Sequence, residues 1–144
     1  VRGAVREGLF SEQLTAAYDM ARVFSMIEIS DFIAGKGALA QLFAAPDDHT
    51  TLFELIDDCF ERAARIIAAN FAAIMTQTGK GHDPEHPVCI VAEGTTFYKA
   101  PLLRPKLAYY LDTFLRGELG FACEIVKADD ATLIGSAVAA LLNS

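Results

Sequence analysis

Five successive apolar residues, Val88-Cys89-Ile90-Val91-Ala92, constrain the fold of this chain more than any other segment. A half-buried strand alternates apolar with polar side chains, whereas a continuous, β-branched run predicts a strand buried on both faces, as at the centre of a layered α/β sheet. A second run, Phe121 to Val126, predicts another strand. Between them Pro101 suits a first helical turn, and Leu103, Leu107, Tyr110, Leu111, Phe114 and Leu115 recur at helical spacing until Gly117 and Gly120. Strand, helix and strand form a βαβ unit, whose strands run parallel through a right-handed crossover. Two strands alone do not make a stable sheet, so other segments are expected to pair with them or to lie upstream of Val1.

A helical layer precedes this unit. Thr51 and Glu54 stand at capping-box spacing and predict a helix start, with Pro46 to His49 as the loop before it. Leu52, Ile56, Phe60, Ala63, Ile67, Phe71 and Ile74 then form an apolar stripe, while Asp58 with Arg62 and Glu61 with Arg65 pair at i and i+4. From Ile66 to Met75 the helix is apolar nearly all round, which predicts cover on several faces, and Gly79 and Gly81 predict its end. Upstream, Ser11 and Glu12 open a short helix to Ala21, Ser30-Asp31 open another turn, and Ala38 to Ala44 form a helix stopped by Pro46. A last helix, Thr132 to Leu142, is rich in small residues that let its backbone approach a neighbour closely. Met20, Met26 and Met75 read as core filler.

The whole stretch of 144 residues has the length of one domain, and 53% apolar against 22% charged residues exclude bulk disorder. A net charge of −7 opposes docking on nucleic acid or on an anionic membrane, and the longest apolar run is too short to cross a bilayer. Cys59, Cys89 and Cys123 are widely spaced and form no CxxC, which suggests neither a disulfide framework nor a zinc site and fits a reducing, cytoplasmic setting. Val1 to Glu7 carry no initiating Met and no apolar targeting run, so the start reads as the middle of a longer chain.

In an open α/β sheet, ligands bind beyond the carboxyl ends of the strands. The first strand leads into Glu93-Gly94-Thr95-Thr96, where Gly94 allows close approach to backbone amides and the hydroxyls of Thr95 and Thr96 can donate to phosphate oxygens. Taken locally, the same residues also describe an ordinary strand-to-loop turn with a threonine cap. The second strand leads through Asp129-Asp130 into the last helix, whose free amides favour an anion. Here too a plain reading exists, with Asp130 as N-cap and Gly135 as a packing glycine.

Taken together, "VAEGTTFYK", then "VKADDATLIGSAVAALL", preceded by the helix "ERAARIIAANFAAI", resemble the C-terminal end of the hexokinase family of sugar kinases. The resemblance covers Thr50 to Leu142, and reaches the first fifty residues loosely through "SMIEISDFI". It implies an α/β fold, part of an actin-like ATPase (ribonuclease H-like) domain, with helices packed on a short βαβ sheet. It also implies ATP, with Mg2+ carried on the nucleotide, and phosphoryl transfer to a hexose hydroxyl in glycolysis. By resemblance, Gly94, Thr95 and Thr96 hold the ATP phosphates, while Ala131, Thr132 and Gly135 lie at the adenosine. Glu93 stands where the family has Asp, and Ala131 where it often has Gly.

Such enzymes draw their first phosphate loop, catalytic Asp and sugar-contacting residues from sequence that would precede Val1, and no matching motif occurs here. Asp31, Asp47, Asp48, Asp57 and Asp58 read as solvated-face carboxylates rather than a general base. His82 and His86 bracket Asp83 and Glu85 on a Pro-rich loop with no common face, which reads as surface rather than a metal site. The chain alone is therefore expected to be inactive and to self-associate through an apolar sheet edge. A non-catalytic regulatory or interaction domain that keeps the kinase fold is the competing reading, and a kinase acting on another substrate is a third.

Overall fold

The computed structural model describes residues 1–92, 97, 100–127 and 131–142. Four short helices, α1 (Arg2–Arg6), α2 (Glu12–Ala17), α3 (Met26–Ile33) and α4 (Gly37–Leu42), lead into the long helix α5 (Pro46–Thr78). Strand β1 (Val88–Ala92), helix α6 (Leu103–Tyr110) with a π-helical continuation (Leu111–Glu118), strand β2 (Cys123–Lys127) and helix α7 (Ala131–Leu142) follow. The architecture is α/β and mostly helical, with a small sheet of two parallel strands among the described residues.

Helix α5 starts at Pro46, not Thr51. Proline at the first helical position loses nothing, because its missing amide would have no intrahelical partner there, and Asp47 and Asp48 complement the positive end of the helix. The capping box lies instead at Ser25 and Glu28, where the Ser25 hydroxyl accepts from the Glu28 amide at 3.2 Å and the Glu28 carboxylate accepts from the Ser25 amide at 2.9 Å. So α3 begins before Ser30-Asp31. Helix α2 stops at Ala17 rather than Ala21, since Tyr18 turns extended to bury its ring and the Asp19 carboxylate accepts from the Ala21 amide. Gly79 ends α5 in the left-handed conformation, at φ 64°, donating its amide to the Met75 carbonyl.

Two apolar clusters flank α5. The first joins α1 to α4 with the start of α5 and is centred on Phe43, which meets Phe10, Tyr18, Phe24 and Phe32 edge-on with ring centroids 5.4 to 6.5 Å apart. The second packs Ala64, Ala68, Ala72 and Met75 of α5 against Leu103, Leu107, Leu111 and Leu115, under the inner face of the sheet. Alanines on this stripe let the two helices approach closely. Among the described residues the second half of α5 is covered on that side only, for Ile66 and Ile74 stay about half exposed, at 51% and 55%. Met75 is core filler, whereas Met26 is exposed.

The sheet departs from the sequence expectation in one respect. Val88, Ile90 and Ala92 face the helices, while Cys89 is exposed and Val91 is 50% exposed, so β1 is covered on one face among the described residues. The outer face continues onto Glu124 and Val126 of β2. Strand β2 begins at Cys123 because Phe121 turns into the second cluster instead of joining the ladder.

Candidate functional site

Strands β1 and β2 pair in parallel, from Val88 opposite Cys123 to Ala92 opposite Lys127. Their carboxyl ends are therefore level, on strands ~4.8 Å apart. Gly94, Thr95 and Thr96, like Asp129 and Asp130, lie outside the described residues. Ala131 and Thr132 open α7, which follows β2 closely in sequence. Gly135, one turn on, is exposed, and a Cβ there would meet nothing within 4 Å. The close helix contact expected of α7's small residues is thus not made at Gly135, and Val138 and Leu142 remain exposed as well.

The polar groups that the structure does bring together lie elsewhere, across the seam between α5 and α6. Lys106 reaches Asp57 at 2.9 Å and Glu61 at 3.1 Å, the Tyr110 hydroxyl donates to Glu61, and Arg65 donates to Glu61 at 3.0 Å and to the Tyr110 oxygen at 2.7 Å. The Tyr110 hydroxyl, with the Lys106 and Arg65 side chains, lowers the Glu61 carboxyl to about 2. A carboxylate held so low is a poor base near neutral pH, and the hydrogen bonds of this group tie two helices together. Its i,i+4 member, Glu61 with Arg65, is legible from spacing; the partners on α6 are not, because they lie more than forty residues away.

Two acids depart from the solvated-face expectation. Asp48 is 4% exposed and bound by Ser11, while Asp57 is tied to Lys106. In the loop after α5, His86 pairs with Asp83 at 2.7 Å and His82 lies against the Phe121 ring, 5.1 Å between centroids. Among the described residues no three of His, Cys, Asp and Glu stand close enough together to hold a metal ion, and no helix is long and apolar enough to cross a membrane.

A protein-family model described as hexokinase matches residues 3–142. The chain belongs to the hexokinase family. No curated protein and no solved structure matches it. The hexokinase match takes in α1 to α4 as well as the strand–helix–strand unit, so the N-terminal helices, where the resemblance was loose, are part of the family domain. Membership points to a sugar-kinase domain and to phosphotransfer as its class of chemistry.

Proposed function

We propose that this chain is the C-terminal, nucleotide-holding portion of a hexokinase-type sugar kinase with an actin-like ATPase fold. In this reading it transfers, as part of a longer polypeptide, the terminal phosphate of ATP to a hexose hydroxyl. The observation that carries the reading is the family match across residues 3–142. The level carboxyl ends of β1 and β2 support it, since ligands of an open α/β sheet bind beyond the carboxyl ends of its strands. Backbone amides beside Gly94 and the two threonine hydroxyls would hold the ATP phosphates. Ala131, Thr132 and Gly135 would stand at the adenosine. In this reading Mg2+ is carried in with the nucleotide, on its phosphates.

Phosphoryl transfer asks a protein mainly for positioning and charge stabilisation, together with a base for the attacking hydroxyl. No acid among the described residues is placed for that last role. The reaction fits a cytoplasmic protein of carbohydrate metabolism. By itself the chain is expected to bind ATP without phosphorylating hexose, and to self-associate through an edge of its small sheet.

The test has two arms. A fluorescent ATP analogue titrated into the 144-residue chain should bind, and Gly94→Val should abolish that binding. In a longer, sugar-phosphorylating form of the protein, Gly94→Val should raise the Michaelis constant for ATP far more than that for sugar. Equal effects on both constants, or vigorous hexose phosphorylation by the chain as a verified monomer, would overturn the reading.

A further inference from the structure

Helix α6 and its π-helical continuation border a cavity of about 300 Å³ whose far wall is β2. Its floor is apolar, made by Phe97, Leu111 and Ile125, and its rim carries Arg104, Asp112 and Arg116. The two arginines do different work. Arg116 is spent on the fold, with one nitrogen on the Asp112 carboxylate and another on the Cys123 carbonyl, which anchors the π-helical segment to the first residue of β2. Arg104 is exposed and pairs with no acid among the described residues, although nineteen acids are available in a chain of net charge −7. Asp112 offsets Arg116, and among the described residues no acid offsets the Arg104 guanidinium above the apolar floor.

We propose that this cavity binds a small phosphate monoester built on a single ring. The planar fork of Arg104 presents parallel N–H donors that match a phosphate bidentately, which a lysine in its place would not do. Phe97, Leu111 and Ile125 take the ring, where an aromatic or otherwise flat body gains contact with the Phe97 side chain. The volume lies at the lower end of the ~300–1,000 Å³ typical of small-molecule sites, which sets the body at about one ring. Asp112 faces the same space and disfavours a second anionic group, so the ligand carries its charge at one end. The site uses none of the residues assigned above to ATP.

Phenyl phosphate is the probe, titrated into the 144-residue chain by calorimetry, with inorganic phosphate and phenol as the separated halves. Phenyl phosphate should bind at least roughly tenfold more tightly than either half. Arg104→Gln should weaken it by about tenfold or more, Arg104→Lys should lose less, and Gly94→Val should leave it unchanged. Methyl resonances of Leu111 and Ile125 should shift on binding, and far-UV circular dichroism should find the Arg104 variants folded. Binding no tighter than that of inorganic phosphate, affinity unmoved by Arg104→Gln, or loss on Gly94→Val would overturn the proposal. Failure of ATP binding with phenyl phosphate binding intact would instead count against the nucleotide assignment alone.

Discussion

Asp48 accepts two hydrogen bonds from Ser11, one from its amide at 2.7 Å and one from its hydroxyl at 2.5 Å, across 37 residues of chain. The same hydroxyl accepts from the Leu14 amide at 3.3 Å, so one serine caps α2 while fastening it to the first turn of α5. Hydrogen bonds to a buried carboxylate are costly to leave unmade. Asp48→Ala should therefore destabilise the chain by ~2 kcal/mol, a fall in melting temperature of roughly 4–8 °C, and Ser11→Ala should add little in the double variant. Strict additivity of the two losses in calorimetry would show that the pair is not coupled.

Phe43 is fully buried, and four aromatic rings meet its edges and faces. Phe43→Ala should cost ~3–5 kcal/mol, because the surrounding rings cannot close a cavity of that size. Ile66, 51% exposed on α5, provides the internal contrast, and Ile66→Ala should change stability by less than ~1 kcal/mol. Urea denaturation of both variants checks the ranking, and comparable losses would contradict the burial pattern.

Glu61 links stability to acid pH. Its carboxyl is lowered from 4.5 to about 2 in the folded chain, so its contribution is complete above pH 4.5 and is lost as pH falls towards 2. Glu28, lowered to about 2 by the Ser25 amide and then by Arg22, adds to the same window. Melting temperatures measured across that interval should fall more steeply for the native chain than for Glu61→Gln, which cannot titrate there. Parallel slopes would remove Glu61 from the acid response.

Among the described residues β1 pairs with β2 alone, which predicts concentration-dependent association. The strand carries no charge, and Val91 is 50% exposed beside Val126 on the outer face. Uncharged edges are templates for strand pairing, and a lysine is the usual protection. Val91→Lys should shift the sedimentation profile towards monomer at unchanged helix content. A native chain that stays monomeric at high concentration would contradict this.

Local chemistry made part of this fold legible. The run from Val88 to Ala92 marked β1 to the residue, and Gly79 marked the end of α5, because each signal is contained in the segment itself. Pro46 misled for a definite reason: a proline stops one helix and suits the first turn of the next equally well, and only packing around Leu39, Phe43 and Leu52 decides between them. Burial on both faces of β1 was inferred from composition, which cannot register how many layers of chain are at hand to cover a strand. At the candidate site, Gly94, Thr95 and Thr96 rest on the family resemblance and lie outside the described residues. The clamp of Lys106 and Tyr110 on Glu61 could not come from the sequence, since it depends on which faces of two distant helices meet.

Helix α5 runs for 33 residues, ~50 Å, and supplies one wall of both apolar clusters. Leu52 and Ile56 lie in one cluster, Ala64 to Met75 in the other, and Phe60 touches both. A shared wall makes the two halves thermodynamic hostages of each other: melting either cluster strips one side of the same helix and withdraws support from the second. Heat should take the chain apart in one calorimetric transition, and any attempt to express the N-terminal helices or the strand–helix–strand unit separately must decide which of them keeps α5.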